Sequence, residues 1–257
     1  MGEELKVSAV GDVQVVTLNR PDRLNALTLE LVAGLSDVLA DLAGQGSRAI
    51  VLTGEGRGFC AGLDLAAVSE AQALKPGTPA DRLANQRAFA RMVRTIRRLP
   101  VPVVAAVNGA AAGAGMALAL AADIRVMDES AKLHPAALKM GLSAGECGMS
   151  YLLPRLIGSA RAFEILLTAR PVSAAEAIRI GLACELTPGA TALETALGIA
   201  QAIVQHDAFA VELSKSVLWA NLDANFEDAV EFENRTQVLA SLSDATARAR
   251  DAFLRGY

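Results

Sequence analysis

Aromatic residues are scarce in this chain: Phe, Trp and Tyr together make up 4% of its 257 residues. Because hydrophobic residues nevertheless reach 53%, the core must be built from Ala, Val, Leu and Ile. Positive charge is not in excess, since the formal net charge is −4, and this removes the electrostatic case for nucleic acid as a partner. So high a hydrophobic fraction predicts a large core and further surface that is buried between subunits.

Cysteine is scarce as well. Cys60, Cys147 and Cys184 are odd in number and lack metal-ligand spacing, which predicts a reduced, cytoplasmic compartment and no metal site. The first six residues, Met-Gly-Glu-Glu-Leu-Lys, form a polar segment that is acidic at its start, unlike a signal peptide. The uncharged stretch 99–122 is as long as a membrane span, but prolines, Asn108 and glycines interrupt it, so we expect no membrane partner.

The first part of the chain alternates strands with helices. Val13–Leu18 has the pattern of a strand, and Thr28 is placed to cap a helix whose apolar residues recur at helical spacing as far as Gly44. Residues 49–52 follow as a buried strand. This order predicts two parallel strands joined by a crossover helix.

Residues 101–127 contain the most distinctive pattern. The apolar run Val103–Val107 predicts a buried strand, Asn108-Gly109 breaks it, and the Ala-rich run from Ala114 predicts a helix buried on all sides. A second glycine-rich turn, 58–64, also follows a buried strand. Two such turns could direct two backbone N–H groups at one oxygen, which stabilises an enolate or a tetrahedral oxyanion. Neither turn matches a phosphate loop or a dinucleotide-binding pattern.

The remaining segments give weaker signals. Residues 69–79 predict a mobile surface loop, and 81–98 predict a basic amphipathic helix. Most arginines of that helix are expected to face solvent, while a few could meet a phosphate-bearing ligand. From Ser173 onward we expect only helices, ending in one long helix over 225–254. Three residues stand three positions before a glutamate, the spacing of a helix capping box: Ser143, Ser173 and Thr191.

Several motifs, spread in order along the chain, resemble those of the crotonase (enoyl-CoA hydratase/isomerase) superfamily. They are Asn19-Arg-Pro, Leu24-Asn-Ala-Leu27, Gly58-Phe-Cys-Ala-Gly-Leu-Asp-Leu65, Pro102-Val-Val-Ala-Ala-Val-Asn-Gly109, Asp123-Ile124, Leu153-Pro-Arg-Leu-Ile-Gly158, Ala174-Ala-Glu-Ala177 and Gly181-Leu182. The resemblance implies an α/β fold, a spiral of strand–strand–helix turns with a C-terminal helical region, that assembles as a homotrimer or a dimer of trimers. We predict an acyl-CoA-binding core over 1–190 and a helical trimerisation region over 191–257.

The resemblance also implies a coenzyme A thioester as substrate, with no separate cofactor. Its carbonyl oxygen would lie between the backbone N–H groups of Leu63 and Ala114. Four residues would lie near coenzyme A: Leu27, Ala61, Asp64 and Leu65. Four others would line an apolar acyl pocket: Met116, Ala117, Ala137 and Leu142.

Two departures from the family bear on the reaction. Hydratases of this family use two glutamates as general acid and base, and here Ala117 and Ala137 occupy those places. Alanine cannot exchange a proton, so hydration by a glutamate pair is not expected. Glu146 remains as the acidic candidate, at or next to a place where dienoyl-CoA isomerases and aryl-CoA dehalogenases of the family carry an aspartate. Its spacing from Ser143 also fits a helix cap, so both roles stay open.

Other polar residues near the glycine turns have structural interpretations. Asp64 is expected to hold its loop by bonding backbone amides. His134 could titrate near neutral pH but more often such a residue is structural, and Cys60 has the setting of a small buried hydrophobe. His206 has no partner motif.

We therefore expect an acyl-CoA enzyme of the enoyl-CoA hydratase/isomerase family. It would stabilise an enolate-type oxyanion with two backbone amides and move one proton through Glu146, as an isomerase does. One alternative is a thioester hydrolase or dehalogenase that uses the same carboxylate. Another is a non-catalytic acyl-CoA-binding protein.

Overall fold

The structure, a computed structural model, describes residues 3–74 and 77–255, without the side chains of 70–74 and 249. Within these residues the elements follow in this order: β1 (Leu5–Val10), β2 (Val13–Leu18), α1 (Leu29–Gly44), β3 (Ala49–Gly54), β4 (Gly58–Cys60), α2 (Leu65–Leu74), α3 (Pro79–Arg98), β5 (Val103–Val107), β6 (Ala110–Ala112), α4 (Ala114–Ala121), β7 (Ile124–Asp128), β8 (Lys132–His134), α5 (Met149–Ile157), α6 (Ser159–Thr168), β9 (Val172–Ser173), α7 (Ala174–Arg179), β10 (Glu185–Thr187), α8 (Ala192–Ile203), α9 (Ala208–Asn221), α10 (Phe226–Ser241) and α11 (Asp244–Arg255).

The strands form two sheets that the chain visits alternately. The large sheet has the order β1-β2-β3-β5-β7-β10 and the small sheet the order β4-β6-β8-β9. Among the strand pairs of the described residues, only β1–β2 and β8–β9 are antiparallel. From β3 onward, each of three successive strands in the large sheet is followed by a short strand in the small sheet and then by helix. This is the predicted spiral of strand–strand–helix turns, and the parallel β2–β3 pair joined by α1 is confirmed.

The central strands β3 and β5 of the large sheet are buried on both faces, as their continuous apolar sequences require. Because side chains alternate along a strand, Val103 and Ala105 face the core formed with α1, α3 and α4, whereas Val104 and Ala106 face α8. α4 is buried on every side, as its composition predicts. The division of the chain at residue 190 stays a prediction. α8, which lies after that boundary, packs on the large sheet.

Thr28 caps α1 by accepting a hydrogen bond from Leu31 N at 3.1 Å, as predicted. α3 buries the expected apolar face: Phe89, Met92, Val93 and Ile96. Ser173 caps α7 as predicted. Thr191 makes no capping bond, because its hydroxyl donates to Pro188 O instead, so that capping box was a wrong prediction.

Three boundaries differ from the prediction. The loop expected over 69–79 is wrong for 69–74, which continue α2, while Lys75 and Pro76 lie outside the described residues. The expected long final helix is two helices, because α10 ends at Ser241 and Ser243 Oγ accepts a hydrogen bond from Thr246 N at 3.2 Å, which starts α11. The all-helical region from Ser173 is also interrupted, since β10 pairs with β7 at the edge of the large sheet.

The uncharged stretch 99–122 is divided among β5, β6 and α4. Within the described part of the chain, no helix has both the length and the apolar character that a membrane span needs.

Candidate active site

The two glycine-rich turns pack against each other. Gly62 has φ +84°, and a Cβ there would lie 2.5 Å from Ala112 O and 3.3 Å from Ala114 N. A Cβ on Gly115 would overlap the carbonyl oxygen of Cys60. Both positions therefore need glycine for the close approach of the backbones, and Gly62 needs it for its conformation as well.

This packing brings the Leu63 and Ala114 amides close together. Leu27 N donates to Gly62 O at 2.7 Å and Asp64 N donates to Leu27 O at 3.0 Å, so the N–H of Leu63 points away from that bridge. Ala114 is the first residue of α4, where an N–H has no acceptor within the helix. Neither amide donates to another group in the described residues. The turn that carries Leu63 thus packs against the N-terminus of α4, where Ala114 N lies 3.3 Å from the position of a Cβ on Gly62.

Asp64 anchors the turn that carries Leu63. Its Oδ1 accepts from Ala67 N at 3.1 Å, and its Oδ2 lies 2.9 Å from a guanidinium nitrogen of Arg20. Arg20 also donates to Ala26 O and pairs with Glu4. The Ala67 amide and the Arg20 cation hold the pKa of Asp64 below its usual value. The predicted structural role of Asp64 is confirmed.

Glu146 lies directly beside the second turn. A Cβ on Gly113 would lie 3.4 Å from Glu146 Oε1, so this carboxylate lies next to the residue before Ala114. The carboxylate accepts no hydrogen bond within the described residues, and partial burial raises its pKa. Glu146 therefore presents a half-buried carboxyl group that has no hydrogen-bond partner within the described residues.

Glu146 does not cap a helix. Ser143 Oγ accepts a hydrogen bond from Gly145 N at 3.2 Å, and the next helix, α5, begins only at Met149. The capping box predicted at Ser143 is therefore wrong. Cys147 and Gly148, with φ +47° and +81°, turn the chain between Glu146 and α5.

Two cavities lie at the glycine-rich turns, one lined by Glu146 and one by Leu63, and residues of α3 line both. The Glu146 cavity has a volume of about 400 Å³ and is lined by Gln86, Arg87, Ala90, Leu142, Ser143, Gly145, Glu146 and Cys147. The Leu63 cavity has a volume of about 490 Å³ and is lined by Leu27, Thr28, Leu29, Glu30, Leu63, Asp64, Ala67, Val68, Gly77, Asp81, Arg82 and Asn85.

The residues predicted from the sequence are distributed between these places. Leu27 and Asp64 line the Leu63 cavity, Ala61 is half-buried, and Leu65 is exposed at the start of α2. Of the four residues predicted for the acyl pocket, Leu142 lines the Glu146 cavity. The other three are buried and line neither cavity: Met116, Ala117 and Ala137.

Three other titratable side chains near the glycine turns, His134, Cys60 and Cys147, are uncharged at neutral pH. His134 binds Gly113 N through its carbonyl oxygen at 2.9 Å, and burial together with Lys139 and Lys132 lowers the pKa of its imidazole. Burial raises the pKa of Cys60 and of Cys147 to about 12. Both thiols are therefore protonated at neutral pH, and His134 is neutral.

Sequence reasoning did not identify Gln86 and Arg87 as cavity residues. The only signal was the basic face of α3, which does not distinguish the arginine at a cavity from those in solvent. It also did not find the left-handed Cys147-Gly148 pair, since cysteine carries no preference for that conformation.

Comparisons with known proteins agree with this arrangement. The family model described as enoyl-CoA hydratase/isomerase matches residues 9–255. The probable enoyl-CoA hydratase echA12 of Mycobacterium bovis is 41% identical over 237 residues, which are 91% of this chain and 83% of the relative. The 1,2-epoxyphenylacetyl-CoA isomerase of Escherichia coli is 36% identical over 94% of this chain and 92% of its own length.

The fold is shared with solved structures. A Streptomyces coelicolor A3(2) protein assigned as an enoyl-CoA hydratase is 42% identical and superposes with a TM-score of 0.93 over 98% of this chain and 92% of the other. The family model covers nearly the whole chain, and the structural match covers both sheets and the helices. The chain belongs to the enoyl-CoA hydratase/isomerase family of the crotonase superfamily.

Proposed function

We propose that this acyl-CoA enzyme isomerises an unsaturated acyl thioester, using Glu146 as its single proton carrier. The observation that carries the proposal is the place of the Glu146 carboxylate, next to Gly113 and free of any capping bond. A carboxylate whose pKa is raised by burial is suited to taking a proton and giving it back near neutral pH.

The thioester oxygen binds between the N–H groups of Leu63 and Ala114. Glu146 removes a proton from C2 of a 3-enoyl thioester, and the electron pair delocalises onto that oxygen as a dienolate. The two amides and the N-terminus of α4 stabilise the negative charge. The protonated Glu146 then returns the proton to C4, so the double bond moves from C3–C4 to C2–C3 and no water is consumed.

Hydration requires a second acid–base group, and its absence from the expected positions supports isomerisation. Ala117 and Ala137 occupy the two glutamate places, and both are buried. Among the described residues, Glu146 is the only carboxylate that lines its cavity. One carboxylate suffices for a reaction that moves one proton out and back.

The test compares Glu146→Gln with the wild type on 3-enoyl, 2-enoyl and dienoyl thioesters. We expect the variant to bind a saturated acyl-CoA as tightly as the wild type but to lose turnover by at least about 100-fold. Glu129→Gln, a change in the turn after β7, is the matched control and should keep full activity. Undiminished turnover of Glu146→Gln would overturn the proposal.

Two products would favour the alternatives instead. A covalent acyl-enzyme on Glu146, trapped by mass spectrometry, or release of free coenzyme A, would indicate hydrolysis or dehalogenation. Tight binding with no product from any thioester would indicate a binding protein.

We also propose that the enzyme is a cytoplasmic homotrimer, or a dimer of trimers, assembled through its C-terminal helices. The support is a set of exposed apolar side chains on α10, on α11 and in the turn between them: Phe226, Val238, Leu242 and Leu254. So much apolar surface on one region is typical of an interface. Light scattering of the full chain tests this, because Leu242→Lys should lower the oligomeric mass, and an unchanged mass would contradict it.

A further inference from the structure

The Glu146 cavity has a polar wall on its α3 side. Gln86 and Arg87 line it there, facing the loop that carries Leu142, Ser143 and Glu146. This differs from the wholly apolar acyl pocket that the sequence predicts. The Gln86 and Arg87 side chains are both exposed, so water solvates them and their polar groups remain available to a polar end of a ligand.

Arg87 is available to a ligand. Within the part of the chain that the structure describes, Arg87 forms no ion pair and no hydrogen bond. Two other arginines of α3 are engaged, since Arg91 pairs with Asp37 at 3.1 Å and the Arg97 guanidinium lies 3.1 Å from the centre of the Trp219 ring. Arg94 forms no such contact in the described residues either, but it lines neither cavity. Arg87 is therefore a cation without a partner among the described residues, and it lies at the rim of the cavity that holds Glu146.

The position of the two amides decides which part of a thioester meets Arg87. Leu63 lines one cavity, whereas Glu146, beside Gly113, lines the other. A thioester whose oxygen lies at these amides extends into both. With Leu27 and Asp64 on the coenzyme side, the acyl group enters the Glu146 cavity. This assignment rests on the proposed function.

We propose that the acyl groups selected by this enzyme are short chains with a carboxylate at the end distant from the thioester. Arg87 binds that carboxylate through charge-assisted hydrogen bonds, and the Gln86 amide and the Ser143 hydroxyl supply further donors. A cavity of about 400 Å³ is near the lower end of ligand pockets, which favours a short chain. Arg87 also offsets the repulsion between the ligand carboxylate and Glu146.

The test measures binding of saturated thioesters that cannot be isomerised. Calorimetry compares hexanoyl-CoA with the monothioester of hexanedioic acid and with 6-aminohexanoyl-CoA, and shorter pairs follow. We expect the wild type to bind the carboxylate-ended ester about tenfold more tightly than the methyl-ended one. Arg87→Ala should abolish that preference, and Arg87→Glu should transfer it to the amino-ended ester. Arg94→Ala, on an exposed part of α3 away from both cavities, is the control and should keep the wild-type preference.

Three results would overturn the inference: equal affinity of the wild type for the three esters, a carboxylate preference that survives Arg87→Ala, or an equal weakening of all esters and of free coenzyme A in Arg87→Ala. The last would show that Arg87 binds the phosphates of the coenzyme. Because binding needs no turnover, the same titration with Glu146→Gln separates this inference from the proposed function. An unchanged preference in that variant supports the role of Arg87 whatever reaction the enzyme performs.

Discussion

Gly62→Ala tests whether the close packing of the two turns matters for activity. Gly62 has φ +84°, so alanine there costs about 1 kcal/mol in conformational strain. The new Cβ would also lie 2.5 Å from Ala112 O, and must move apart by about 1 Å to reach ordinary contact. A displacement of that size between reacting groups lowers rates on the order of 100-fold. We expect kcat/KM to fall by that factor.

Gly46 provides the matched control, because its φ is +88° and a Cβ there meets nothing within 4 Å. Gly46→Ala should carry the same strain, lower Tm by about 2–4 °C and leave kcat/KM unchanged. Thermal unfolding and steady-state kinetics on both variants separate strain from displacement. If Gly62→Ala, at a temperature where it is folded, is as active as Gly46→Ala, the amides of Leu63 and Ala114 do not form the oxyanion site.

Three further predictions concern charged residues. Lys215 is buried with its Nζ 2.8 Å from Asp123, so Lys215→Ala should lower the free energy of unfolding in urea by about 3–5 kcal/mol. Arg235→Ala, at an exposed ion pair, should lower it by less than about 0.5 kcal/mol. Equal losses in the two variants would contradict this. Because the pKa of Asp64 is lowered, the stability lost in Asp64→Asn should be largest at neutral pH and should shrink as pH falls through that lowered pKa; a pH-independent difference in Tm would contradict the ion pair. The pKa of Glu146 is raised by burial, so kcat/KM should fall as the pH drops through that raised pKa. Glu146→Gln should raise Tm at neutral pH, because it removes a buried charge, but should not raise it below pH 4.5, the ordinary pKa of a glutamate. A gain in Tm that persists in acid would refute this.

The parts of the fold that follow from local patterns could be predicted from the sequence. Val103–Val107 is apolar at every position because both faces of its sheet are covered, and Thr28 marks the start of α1 by a side-chain bond within one turn. Weaker local patterns failed. Glu185–Thr187 forms a strand only because β7 offers a free edge, and three residues are too few for a periodicity to emerge.

The candidate site divides in the same way. The Leu63 and Ala114 turns are recognisable from their glycines, and family resemblance singles out Glu146. The polar wall of the cavity was not predictable, because packing between distant segments brings Arg87 and the loop around Ser143 to the same cavity. The mistaken cap at Ser143 has a similar cause: the left-handed backbone at Cys147 delays the helix to Met149.

The central claim is that Glu146 moves one proton at a thioester held by two amides. Its most direct test follows a 3-enoyl-CoA in ¹⁸O-enriched water by mass spectrometry, with the wild type and with Glu146→Gln. The account predicts that the wild type forms the 2-enoyl isomer without incorporating ¹⁸O, and that the variant forms it at least about 100-fold more slowly. A 3-hydroxyacyl product carrying ¹⁸O as the main product, or equal rates for the two proteins, would contradict it.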